Sequence, residues 1–498
     1  MNGELALVLV ATLPLVGALL TVLFGLRGGV IALAVAASIS TALFVLILDV
    51  AQGGVIEIAV GSWEAPLGIT LRADGLALAF LTMSALVMVA VLLFAQSGFA
   101  PRTIEGKVVE GRASYTFWPL ALLLWAALNA IFLSRDLFNI YIGLEMLTLA
   151  AVALVAIGGK AESIAAAMRY MVFALLGSLL YLLGVSLLYA AHGTLDIDQI
   201  FARTTTANAD FIAAGLITAG LLLKTALFPF HAWLPPAHSS APAPSSAMLS
   251  ALVPKASFYI LLRFWFEAVP DLASQAVMWF LGGLGALAIL FGSLMALRQM
   301  RLKLIIAYST VAQIGYLFLV FPLAGGDYSA QLWTTDAWSA ASFHAISHGL
   351  AKATMFLCAG LWIMAVGHDR LDGMKGLAQS MPMTTFAFVL AAMTLIGLPP
   401  SGGFTAKYLM LSAAFTAGDI IWVIVLMAGG LLSAAYLYRP IAFVFERKAL
   451  PTTVLVSHRL QAIPLILALT AIFFGLASNI PFEFLQIGRP FVAVEGVE

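Results

Sequence analysis

The chain is short of charge and of cysteine. Only 10% of its 498 residues are charged, and 24 basic groups cancel 24 acidic ones. That balance argues against nucleic acid as a partner and against a polybasic surface anchor. One cysteine, Cys358 inside an apolar run, leaves neither a disulfide framework nor a thiolate metal cluster. The sequence also lacks a Gly-x-Gly-x-x-Gly fingerprint after a strand, a Walker A motif and a cysteine cluster, so redox and nucleotide-binding machinery are missing from this chain. No catalytic residue, cofactor or metal ligand is expected in it. Long polar stretches are scarce too. The longest are 51–73 and 96–114, too short for a soluble domain.

What is abundant is apolar sequence: 62% of residues are hydrophobic. Runs of about 20 apolar residues recur along the whole length, as bilayer-spanning helices require. They lack the short polar/apolar alternation of barrel strands, so the expected fold is an all-α polytopic membrane protein. Hydropathy places fourteen spans near 4–25, 29–50, 74–95, 115–134, 136–157, 163–191, 211–231, 244–268, 273–297, 302–323, 337–366, 381–416, 419–445 and 459–480. The first has no basic n-region and no convincing cleavage site, so it reads as a retained span.

Basic residues test this map, because they collect in cytoplasmic loops. One set of alternate loops holds Arg27; Arg102, Lys107 and Arg112; Lys160 and Arg169; Arg298, Arg301 and Lys303; Arg370 and Lys375; Arg439, Arg447, Lys448 and Arg459. The other holds Arg72, Arg135, Arg203, Arg263 and Arg489, with acids such as Glu57, Glu64, Asp196, Asp198, Asp210, Asp327 and Asp336. An even number of spans with both termini outside follows.

Four basic residues remain, all within spans: Lys224, Lys255, Lys352 and Lys407. A lysine at a helix centre costs about 2.5–3.5 kcal/mol on insertion scales and usually faces the bundle interior or a wet cavity. Each alone could snorkel or make a structural ion pair; four together, with matching acids and histidines, point to an ion path. Glu145 sits halfway along 136-DLFNIYIGLEMLTLAAVALVAIG-158 and needs a buried cation, for which Lys224 is the candidate. A carboxylate beside a lysine favours its ammonium, and burial without one disfavours it, so the pair can act as a proton switch. His344, His348 and Lys352 lie four residues apart on one helix face, a spacing and chemistry that suit a relay.

The prolines fall beside these lysines. Pro229 follows Lys224, and Pro399, Pro400, Gly402 and Gly403 precede Lys407. Proline removes a backbone donor, and the carbonyls it frees need water or polar side chains inside a bilayer. Breaks are therefore expected in spans 7 and 12. Five spans separate them, so spans 4–8 and 9–13 would form an inverted repeat offering two half-channels. This divides the chain into an N-terminal three-helix segment (1–114), two five-helix repeats (115–270 and 271–445) and a C-terminal helix with its tail (446–498). Lys255 and the histidine row would join the halves, with His231 as an accessory group.

In 224-KTALFPFHAWLPPAHSSAPAPSSAMLSALVPKASFYILLR-263, Glu145 and 397-GLPPSGGFTAKYL-409, the sequence resembles the antiporter-like subunits of respiratory complex I, membrane-bound hydrogenases and Mrp-type cation/proton antiporters. The resemblance implies fourteen helices, inverted five-helix repeats and broken helices 7 and 12. It also implies proton-translocating roles for Glu145, Lys224, Lys255 and Lys407. The 145-EMLTLAAVALVAIGGK-160 segment, the 193-GTLDI-197 loop and the length look most like the D subunit of Mrp-type antiporters; a proton-pumping subunit of a complex I-like oxidoreductase or a hydrogenase is the alternative. Implied partners are other membrane subunits, the bilayer of the cell membrane, H⁺ and in the antiporter case Na⁺. Two rival readings are a haem-binding membrane enzyme using His231, His238, His344 and His348, which leaves the lysines without a role, and a structural membrane anchor.

Overall fold

A computed structural model describes residues 2–99, 102–104, 107–109, 111–326, 331–447 and 456–490. Asp327, Lys448 and the tail from 491 lie outside the described residues. The chain is a bundle of membrane-length helices. Among the described residues thirteen are long and apolar enough to cross a bilayer. In chain order they are Gly3–Leu23, Gly25–Gly53, Gly75–Phe99, Arg112–Leu133, Leu137–Ala156, Ala161–His192, Asn208–Ser240, Ala243–Ala268, Gln275–Arg298, Leu302–Ala324, Thr334–Val366, Ile420–Phe445 and His458–Leu476. Span 12 is two helices, Pro382–Ile396 and Gly402–Thr416, each of 15 residues and each too short to cross alone. The first eleven of the thirteen are called spans 1–11 below, and the last two spans 13 and 14.

The starts of these helices follow from side chains that satisfy free backbone donors. Asp136 accepts from Asn139 N at 2.7 Å at the head of span 5, Asp74 from Ala77 N at 3.0 Å at the head of span 3, and Ser401 from Phe404 N at 3.2 Å. The polar stretch 51–73 holds an antiparallel hairpin, Ile56–Ala59 against Thr70–Ala73.

Burial sorts the helices into layers. The apolar window of span 8 is 100% buried, and those of spans 10 and 11 are 89% and 83% buried, whereas spans 1, 2 and 6 reach 39% and span 14 only 28%. Leu431, Val30, Phe473 and Leu179 are exposed on the outer helices, as lipid-facing side chains should be. Packing between membrane helices relies on close approach of small residues. A Cβ on Gly177 of span 6 would lie 2.8 Å from Gly220 O and 3.2 Å from Lys224 Cγ, so glycine here makes room for both span 7 and its lysine.

Two sequence expectations need correction. Lys303 is a fifth buried lysine, not a loop residue, because Leu302 already begins span 10 and its ammonium turns inward to Ala241 O at 2.7 Å. Arg263 also lies within a helix, almost fully buried, and pairs with Asp74 and Glu267 at 2.5 Å each. Asp74 also pairs with Arg72 at 3.1 Å, and Glu267 with Arg135, which holds Asp198 at 2.5 Å. This network ties spans 3 and 8 to the loops around Arg135 and Asp198.

Candidate functional site

Both expected breaks are present. The first half of span 7 ends at Thr225; Ala226 turns into the left-handed region (φ 58°), and after Pro229 a short turn, Phe230–Trp233, leads to Leu234–Ser240. The Trp233 indole donates to the carbonyl of Leu223 at 3.0 Å. In span 12 the chain breaks over 397–401.

The proline positions explain where the lysines rest. In an α-helix the N–H of residue i bonds the carbonyl of residue i−4. Pro399 and Pro400 therefore leave the carbonyls of Leu395 and Ile396 without their helical donors, and the Lys407 ammonium takes both, at 2.7 and 3.2 Å. Pro254 likewise leaves the carbonyl of Ser250 free, and Lys255 Nζ takes it at 2.5 Å. Gly397, with φ 89°, stands where a Cβ would lie 2.8 Å from Lys407 Cδ. Lys407 also lies 4.2 Å from the centroid of the Tyr316 ring.

Lys224 is held differently. Its Nζ lies 3.5 Å from Glu145 Oε1 and 2.9 Å from Thr148 Oγ1, one helical turn further along span 5. Ser178 of span 6 donates to the same Glu145 oxygen. The lysine side chain is buried, and the glutamate keeps 24% of its exposure. The expected pair is formed.

Between these ends lies a buried basic cluster. Lys352 donates to Ile306 O at 2.9 Å and to Ser309 Oγ. The rings of His344 and His348 lie parallel, 5.8 Å apart, on the face that carries Lys352. Lys255, Lys352 and Lys407 all act electrostatically on His348. His344 feels Lys407 and Lys255, and its ring meets Tyr316 at 5.5 Å. The row thus spans from Lys352 towards Lys407.

His238 is the residue that sequence reasoning undervalued. It is buried on the second half of span 7, within the field of Lys255, Lys303 and Lys352, with its ring 4.9 Å from Phe356. Its two ring nitrogens, like those of His348, have no hydrogen-bond partner among the described residues. The available signal was its place between one broken helix and Lys255. His231, by contrast, packs against Phe228 and Phe291, and no hydrogen bond or ion pair joins it to the lysines among the described residues. His344 and His348 share one face of one helix, which does not match the facing-helix geometry of a bis-histidine haem site. Beneath the basic loops a cavity of about 330 Å³ is lined by Lys160, Ser163, Ser240, Arg301, Lys303 and Asp369 among others.

One carboxylate–lysine pair and four further buried lysines thus stand on spans 5, 7, 8, 10, 11 and 12. Comparison with known proteins gives the family. Residues 134–433 match the family described as "NADH:quinone oxidoreductase/Mrp antiporter, TM". The chain is 38% identical to the N subunit of the NADH-quinone oxidoreductase of Desulforudis audaxviator, over 77% of this chain and 74% of that protein. It is 29% identical to the D subunit of the Na⁺/H⁺ antiporter of Alkalihalophilus pseudofirmus, over 78% and 76%. Among solved structures, a chain of the Mrp complex from Dietzia sp. superposes with a TM-score of 0.87 at 24% identity, covering 98% of this chain and 97% of that one. A chain of respiratory complex I from Thermus thermophilus gives 0.75 at 24%, covering 98% and 100%. With its matched segment running from before Glu145 to beyond Lys407, this chain belongs to the NADH:quinone oxidoreductase/Mrp antiporter transmembrane family.

Proposed function

We propose that this chain moves protons across the cell membrane as one subunit of a multisubunit complex, with both termini on the outer side. The observation that carries the reading is the contrast in how its buried lysines are held. Lys224 faces a carboxylate, and Lys303 shares its cavity with Asp369; Lys255, Lys352 and Lys407 rest on uncharged oxygens. A proton on the second kind is stabilised by hydrogen bonds but not trapped by a counter-ion. The line runs from Glu145 and Lys224 through His238, Lys255 and Lys352, then along His348 and His344 to Lys407. The cavity at Lys303 is its access from the basic side. Spans 4–8 and 9–13 would act as two inverted copies, each with one broken helix.

Assembly into an Mrp-type Na⁺/H⁺ antiporter is the first reading, with a complex I-like or hydrogenase-like pump as the second. The higher identity to an oxidoreductase N subunit favours the second, and the higher TM-score to an Mrp chain favours the first. Inverted membrane vesicles containing the whole complex test both. Proton movement started by a Na⁺ pulse indicates exchange; movement started by NADH or another electron donor indicates a redox-driven pump. Transport in either mode that survives Lys224→Ala unchanged would overturn the proton-carrying role.

A further inference from the structure

The histidine row is not the only polar connection between Lys352 and Lys407. Spans 10 and 13 supply a second one. Ser309, which accepts from Lys352, also faces the hydroxyl of Tyr436. That hydroxyl donates to Ser433 Oγ at 3.2 Å and accepts from Gln313 Nε2 at 3.2 Å. The same Gln313 amide donates to Leu395 O at 3.2 Å, the carbonyl that Lys407 holds at 2.7 Å. Ser309, Gln313, Ser433 and Tyr436 are all fully buried, so each polar atom is costly unless it is hydrogen-bonded. Four such groups on two helices, meeting between two buried lysines, are more than helix packing requires.

We propose that Tyr436, with Ser309 and Ser433, forms a second proton connection between Lys352 and Lys407, running beside the histidine row. This rests on the proton-carrying reading above. Ser309 now donates to Ile306 O at 2.9 Å, so its hydroxyl must first turn to Tyr436. One ammonium proton then passes to Ser309 Oγ as the Ser309 proton passes to Tyr436 Oη, the Tyr436 proton to Ser433 Oγ, and the Ser433 proton to a water that gives one of its own to the Lys407 amine. Gln313 and the Leu395 carbonyl orient the far end but do not carry the proton. One water is required between the hydroxyls and the Lys407 amine, which gains the proton as Lys352 becomes neutral. No charge is created, and one is moved.

The test is a double-mutant cycle in the assembled complex, read as the initial rate of proton movement in inverted vesicles. Tyr436→Phe removes only the hydroxyl and keeps the packed ring. The histidine route is cut with His344→Ala together with His348→Ala. If the routes run in parallel, each change alone leaves measurable transport. Combining them slows it by about tenfold more than the product of the separate effects, about 1.4 kcal/mol of coupling. A structural role for Tyr436 would slow both backgrounds by one common factor, and that result would overturn the inference. Native-gel assembly of each variant controls for folding. Lys407→Ala separates the two levels: if it transports normally, the reading of the second half fails. If it is inactive while the cycle is additive, only the second connection fails.

Discussion

Replacing Glu145 by glutamine tests the switch at its carboxylate. At 3.5 Å and an effective dielectric near 20, the attraction between Glu145 and Lys224 is about 5 kcal/mol. Glutamine keeps the shape and still accepts from Ser178 and Lys224, retaining about 1.5–3 kcal/mol as a hydrogen bond from a charged donor. The loss is about 2–3.5 kcal/mol before screening. Glu145 keeps 24% exposure, so solvent screens part of it, and halving the loss leaves about 1–2 kcal/mol, or roughly a five- to thirtyfold slower transfer. The assay is dye quenching by proton uptake into inverted vesicles, normalised to assembled complex on native gels. Glu145→Asp restores the charge one methylene short and should recover part of the rate. A Glu145→Gln complex that assembles and transports within about twofold of wild type would refute the electrostatic reasoning.

Lys407→Ala should abolish transport, and Lys407→Arg should fail or slow sharply in the same assay, because a guanidinium keeps its proton at working pH. Pro254→Ala restores the N–H that bonds Ser250 O in a regular helix, so it competes with Lys255 for that carbonyl. Slower proton uptake at unchanged thermal stability in detergent is expected; an unchanged rate would remove the proline from the mechanism. Arg263→Leu leaves Asp74 buried with one cation fewer, which should cost about 3–5 kcal/mol and lower the unfolding temperature or the yield of assembled complex. An unchanged melting profile would show that the network between spans 3 and 8 is dispensable.

Hydropathy and proline chemistry carried most of the fold. Apolar runs have the length a bilayer imposes, so the helices were readable from composition, and the breaks at Pro229 and Pro399–Pro400 were readable because proline lacks a donor. The Glu145–Lys224 pair was readable from the cost of leaving either charge alone. Lys303 was misplaced because it stands at a span boundary, where one residue decides whether a side chain meets water or the interior. Arg263 was misread although Glu267 stands one helical turn away, because its other partner, Asp74, is 189 residues distant and leaves no local pattern. Ser309, Gln313 and Tyr436 are ordinary residues of helical sequence. Only their convergence from two spans gives them meaning, and convergence is not a property of sequence windows.

The distribution of counter-charge decides how such a line can work. Two ammonium groups about 10 Å apart repel by about 1.7 kcal/mol at an effective dielectric of 20. On the proposed path each proton hop would therefore alter the energy of the next station. Had every lysine faced a carboxylate, as Lys224 does, each charge would be locally cancelled and its neighbours would sense little. Backbone carbonyls do the opposite: a hydrogen bond from a charged donor is worth about 1.5–3 kcal/mol, enough to hold the ammonium in place, yet the carbonyl adds no net charge that would hide it. The prolines at 254, 399 and 400 are what leave those carbonyls free beside Lys255 and Lys407. At Lys255 and Lys407 the proline and the buried lysine are thus one device: the proline leaves an uncharged acceptor, and the uncharged acceptor keeps the lysine electrically visible to its neighbours.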